Sequence, residues 1–159
     1  MHAYCIFAET QKCGMVAAML RRALACECFS PAVLQRKWVK GQMLEEKHDY
    51  LPGYIFLYTE EPLRERLWID GIIRWLGDGE LSWSDREFAL GLYEKRGVIG
   101  TVKAVEQGDR VRLSDPVWAG LQGEIVKLDR GRRRCCVAFD FDGLRRTVWV
   151  GYDLVEAPS

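Results

Sequence analysis

Gly108-Asp109-Arg110-Val111-Arg112-Leu113, followed by Gly123-Glu124-Ile125-Val126-Lys127, Arg134-Cys135-Cys136-Val137-Ala138-Phe139 and Arg146-Thr147-Val148-Trp149-Val150, decides the fold of this chain. These are four short runs of strand-forming residues. Turn residues separate them at Ser114-Asp115-Pro116, Asp129-Arg130-Gly131 and Asp140 to Gly143. Short strands at this regular spacing predict a small β-barrel. One edge of it is basic: Arg130 to Arg146 holds six Arg against two Asp. A small barrel with a charged edge is more often a binding module than a catalytic body.

Upstream the pattern is different. Ala3–Ala8 reads as a buried strand. Val16, Met19, Leu20, Ala23 and Leu24 recur at helical spacing between Met15 and Ala25, with Arg21 and Arg22 on the opposite side. After Ser30-Pro31, Val33–Val39 and Met43–His48 predict an exposed, basic hairpin turning at Gly41-Gln42. Pro52-Gly53 opens a continuous apolar run, Tyr54–Tyr58, as a central strand covered on both faces has. Glu61–Ile69 is a short helix by spacing, and Gly71–Gly77 is a strand bounded by glycines. A helix follows to Arg96, capped at Ser82 or Ser84, and Ser84 has Glu87 at the capping-box spacing. The order β-α-β-β-β-α-β-α over residues 1–97 predicts a mixed α+β domain. Residues 98–107 carry no strong pattern and are expected to be a linker, with the barrel spanning 108–159.

Composition narrows the function. The chain has 159 residues with six Trp, six Tyr and six Phe, enough apolar bulk for packed cores. Its net charge is zero, with 13 Lys+Arg against 14 Asp+Glu in residues 1–97 and 10 against 9 in the remainder. The Arg-rich stretch is therefore a local site rather than a global field. No apolar run reaches the length of a bilayer span, and no export signal is visible, so a soluble cytoplasmic protein is expected. The six cysteines (Cys5, Cys13, Cys26, Cys28, Cys135, Cys136) lack C-x2-C spacing and have only His2 and His48 as partners, so no metal is expected. No phosphate loop, nucleophile–base pair or redox C-x-x-C appears. The reading is of a non-enzymatic protein without a cofactor.

Two motifs together resemble one family. Leu51-Pro52-Gly53-Tyr54-Ile55-Phe56-Leu57 is similar to the Phe-Pro-Gly-Tyr-apolar strand of NusG-type transcription factors, with Leu51 where Phe is usual. Gly108-Asp109-Arg110-Val111 through Gly123-Glu124-Ile125-Val126 resembles their KOW module. The order, the spacing and the intervening Gly71–Gly77 strand agree, so the resemblance covers nearly the whole chain. The run Ile125–Arg134 and the ending Val148–Val155 are most like the specialised LoaP-type antiterminators.

The resemblance implies an NGN domain, an α/β sandwich with an antiparallel sheet flanked by helices, followed by an SH3-like KOW barrel. It implies that the first domain binds RNA polymerase, with Tyr4, Leu51, Pro52, Gly53, Tyr54 and Phe56 at the matching positions. Phe56 has two readings, core or groove wall; Leu51 and Tyr54, beside the Pro-Gly turn, are expected to touch polymerase. The barrel is implied to bind a nascent RNA hairpin, with Lys127, Arg130, Arg132, Arg133, Arg134, Arg145 and Arg146 as candidates for phosphate and base-edge contacts. Arg21 and Arg22, with the hairpin cations Arg36, Lys37 and Lys40, are candidates for non-template DNA.

The implied function is readthrough of terminators in selected operons by a monomeric factor. The alternative is a general pausing or Rho-dependent termination factor. The loop Phe141-Asp142-Gly143-Leu144-Arg145 stands where general factors dock Rho or a ribosomal protein, and Asp142 interrupts its Phe-Gly pair.

Overall fold

A computed structural model describes residues 1–77, 79–114, 118 and 123–155. In chain order the first elements are β1 (His2–Ala8), a 3-10 turn (Thr10–Lys12), α1 (Cys13–Leu24), β2 (Glu27–Phe29), β3 (Ala32–Val39), β4 (Gln42–Asp49), β5 (Tyr54–Thr59), β6 (Ile72–Trp75) and α2 (Trp83–Glu94). Then come β7 (Val98–Ile99), β8 (Val102–Gln107), β9 (Arg110–Leu113), β10 (Glu124–Asp129), β11 (Arg134–Phe141) and β12 (Leu144–Leu154). The class is α+β, dominated by sheet.

The chain forms two compact units, and both are discontinuous. Unit 1 is Met1–Pro31 with Asp49–Gly97; unit 2 is Ala32–His48 with Val98–Ser159. This departs from the expected division at 97 and 108. The β3–β4 hairpin joins the barrel-bearing unit because Ala32 and Val33 pair in parallel with Val98 and Ile99. The expected linker contains a strand: β8 pairs antiparallel with β9 and parallel with β12.

Unit 1 is built on a four-stranded sheet of order β2-β5-β1-β6. The alternation of a strand sends neighbouring side chains to opposite faces. Tyr4, Ile6, Ala8, Ile55 and Leu57 face α1, where Val16, Ala17 and Leu20 complete a core. Phe56 points the other way, edge-on to Phe88 of α2 at 5.8 Å. From the same face the Tyr58 hydroxyl donates to the Ala89 carbonyl at 2.5 Å. Helices therefore cover both faces, and the five consecutive buried residues Tyr54–Tyr58 follow from that. Each large side chain buried here contributes about 1.5–3 kcal/mol.

Two local expectations in unit 1 are corrected. Glu61–Ile69 is not a helix. Leu63, Leu67 and Ile69 do pack on the α1 core at the predicted spacing. Side chains satisfy the backbone there instead of a helical ladder: the Leu63 amide donates to the Tyr4 hydroxyl at 2.9 Å, and the Trp75 indole donates to the Leu67 carbonyl at 3.1 Å. The capping box at Ser84 is also absent: of the two candidate caps it is Ser82, two residues earlier, that precedes α2, and it makes no side-chain capping bond. Strand β2 gave no sequence signal at its length of three residues.

Unit 2 carries a five-stranded sheet of order β10-β11-β12-β8-β9, and β9 returns close to β10, so the sheet is a nearly closed barrel. Cys135, Val137, Phe139, Phe141, Val148, Val150 and Tyr152 fill it, with Trp118 against Phe139 at 5.4 Å. A three-stranded sheet, β4-β3-β7, completes the unit. The hairpin turns on Lys40 and Gly41, both at positive φ (50° and 77°), the two-residue turn whose twist suits paired strands.

Candidate nucleic-acid interface

The loop joining β10 to β11, Arg130–Arg133, is held from within. The Asp129 carboxylate accepts from the Arg132 amide at 3.1 Å, and Arg133 adopts φ 49°. From the barrel side, the Tyr152 amide donates to the Arg133 carbonyl at 2.9 Å. The next residue, Arg134, enters β11 and lays its guanidinium over the Trp149 ring of β12, 5.1 Å from the centroid. These bonds fix the backbone at Arg132 and Arg133, and ring stacking holds the guanidinium of Arg134. Short-range charge packing of this kind is unfavourable unless something anionic offsets it.

These arginines line a groove of about 740 Å³, whose other wall is the β3–β4 hairpin of the same unit. The hairpin contributes Arg36, Lys37 and Trp38, and the barrel contributes Arg132, Arg133, Arg134 and Trp149. Gln35 ties the walls together by donating its side-chain amide to the Trp149 carbonyl at 3.3 Å. Glu46 is the acidic member of the lining. It stands 4.0 Å from Lys37 and 3.5 Å from His48. Among the described residues, five cations against one carboxylate leave the groove positive.

The other predicted cations are placed elsewhere. Arg130 turns away to Glu106 and to the Asp109 carbonyl. Arg145 is paired with Glu124 and with Asp140 at 3.6 Å. Arg146 donates to the Phe141 carbonyl at 3.2 Å. Lys127 is exposed on β10 and does not line the groove. Arg21 and Arg22 belong to unit 1, in the last turn of α1, where Arg21 donates to the Cys28 carbonyl at 2.7 Å. The basic stretch read as one patch thus divides into a groove-lining triplet and arginines with local partners.

The set predicted to meet polymerase also divides. Leu51-Pro52-Gly53-Tyr54 is a tight turn, with the Tyr54 amide donating to the Leu51 carbonyl at 3.1 Å and Gly53 at φ 90°, as a type II turn requires. Pro52 is exposed, whereas Tyr4, Leu51, Tyr54 and Phe56 are core residues. Tyr54 packs on Phe7 at 4.9 Å between centroids. Tyr4 and Phe56 lie on opposite faces of the sheet and cannot wall one groove. Leu51 and Tyr54, which the resemblance implies to touch polymerase, are thus buried within unit 1.

Trp38, Trp149 and Gln35 were not singled out from the sequence. An exposed tryptophan among cations, as in Arg36-Lys37-Trp38, is the available signal, and it becomes legible as a site only once the hairpin is known to face the barrel.

In unit 1, Cys26 and Cys28 bring their sulfurs to 3.6 Å. The Cys28 contact and the Arg21 guanidinium hold the Cys26 thiol below its usual range, while the same contact and burial push Cys28 up. All six cysteines are free. Compared with known proteins, the chain matches no family model and no curated sequence.

Proposed function

We propose that this protein is a cytoplasmic transcription elongation and antitermination factor of the NusG type. In this reading unit 1 is the NGN-like body that holds RNA polymerase, and the unit 2 barrel is the KOW-like module that binds nascent RNA. The observation that carries the reading is the groove of unit 2, where Arg36, Lys37, Arg132, Arg133 and Arg134 converge beside two indoles. Phosphate and stacked bases are the ligands such a surface suits. The sheet of unit 1, with a helix on each face, supports the same assignment.

The mechanism involves no chemistry on the protein. Binding the closed polymerase clamp better than the open one shifts the enzyme toward continued elongation. Holding RNA at one unit raises the effective concentration of the other at polymerase. The polymerase contact is assigned to unit 1 around the exposed Pro52 turn, whose shape the buried Leu51, Gly53 and Tyr54 maintain.

Purified full-length factor added to halted elongation complexes tests this. Co-migration with polymerase and increased terminator readthrough are expected, and no co-migration even at large excess overturns the reading. A second reading, a general pausing or Rho-coupling factor, is favoured by one observation. Leu144 at the β11–β12 turn is 59% exposed, an apolar tip available to a protein partner.

A further inference from the structure

The unit 2 groove also carries information on the form of its ligand, an inference that rests on the RNA reading above. We propose that the groove takes an unpaired stretch of RNA, with one base stacked on the indole of Trp38 and the backbone held by Arg36 and Arg132–Arg134.

Trp38 is 72% exposed, on a strand whose neighbours Arg36 and Lys37 are cations. An indole this exposed, beside cationic side chains, leaves most of its apolar surface open to water. A nucleobase covers such a surface, but only when it is unstacked, since a paired base in a helix already has neighbours on both faces. A-form duplex RNA hides its base edges in a deep, narrow groove and is met mainly through phosphates and 2′-hydroxyls. A duplex therefore gains the cations of this site and not its indole. The second indole, Trp149, is already engaged by Arg134. That guanidinium keeps its Nε buried, with no hydrogen-bond partner among the described residues. It stiffens the wall opposite Trp38 and presents its remaining donors at a fixed place.

Charge fixes the path of the backbone. Glu46 lies 4.0 Å from Lys37 and offsets part of its charge, so the phosphates are drawn more toward Arg36 and the arginine triplet.

The test uses full-length protein with three probes of one mixed sequence: an unstructured oligoribonucleotide, its blunt RNA duplex, and the single-stranded DNA. Binding is followed by anisotropy and by tryptophan fluorescence. The single-stranded RNA is expected to bind at least about tenfold more tightly than its duplex and to quench the fluorescence. Trp38→Ala is expected to weaken single-strand binding about tenfold, to remove most of the quenching, and to leave duplex binding unchanged. Trp38→Tyr, which keeps an aromatic face, restores most of the affinity. Far-UV circular dichroism checks that both variants are folded. Duplex binding as tight as single-strand binding, or a Trp38→Ala protein with unaltered single-strand affinity, overturns this inference and leaves the RNA reading standing. Equal binding of the DNA overturns the choice of RNA. Failure of every nucleic acid to bind removes the RNA reading itself.

Discussion

Gly53 sits where the chain turns into the central strand, and it has no room for a side chain. A Cβ there would stand 2.6 Å from a Phe7 ring carbon and 2.8 Å from the Ala8 carbonyl oxygen, at φ 90°. The carbonyl belongs to the β1 backbone and accepts no such displacement. Gly53→Ala is expected to lower the stability of unit 1 by about 1–3 kcal/mol, read from urea unfolding. Tyr54→Ala is expected to cost roughly 3–5 kcal/mol, because the ring is core; its loss of activity would report unfolding rather than a lost contact. Tyr58 adds a pH dependence. Burial raises its phenol above the ordinary 10.0, so the folded state holds the proton more tightly than the unfolded chain. The stability this gives is complete below pH 10 and is lost as pH rises beyond it. Wild-type protein is expected to lose stability above that pH in denaturant titrations, and Tyr58→Phe to lose less. At Cys26, the lowered thiol predicts faster alkylation by iodoacetamide than at Cys28 or Cys135, the latter pushed up to about 11 by burial. Peptide mapping at short times checks the order.

At the level of elements, strands whose alternation matches a one-sided environment were legible, and those defined by a distant partner were not. The barrel strands β9 to β12 carry turn residues between them and were located within two residues or so at most ends, although β12 runs on to Leu154. Strand β8 lies in the stretch where the sequence predicts a linker. Its Val102 and Ala104 are buried and Lys103 is exposed, which is strand alternation, but Val105 is buried too and breaks the period. Its identity comes from pairing with β12, fifty residues away in sequence, at Tyr152↔Val102 and Leu154↔Ala104. Ala104→Asp is expected to place an unpaired charge in that seam and to unfold the barrel, seen as loss of near-ultraviolet signal from its tryptophans. The site was legible only in part for the same reason. The arginines stood out by local count, but which of them act together depends on Glu106, Glu124 and Asp140, whose side chains single out Arg130 and Arg145 as paired. Replacing Arg132, Arg133 and Arg134 by Ala is accordingly expected to weaken RNA binding and reduce the slope of log affinity against log salt by about 2, whereas Arg145→Ala changes it little.

Across the whole molecule, the chain passes between the units three times, after Pro31, after His48 and after Gly97. No helix among the described residues is long and apolar enough to cross a membrane. The crossing pattern has a consequence for synthesis. A ribosome delivers β3 and β4 long before their barrel neighbours exist, so this ribbon emerges with Trp38 and its cations facing nothing. Unit 1 becomes complete when Gly97 clears the exit tunnel, whereas the ribbon waits until β12 has cleared it as well. Nascent chains arrested a little past that glycine should therefore resist protease across α1 and α2 while being cut between Pro31 and Asp49, and arrest at a point where Leu154 has emerged should close that window.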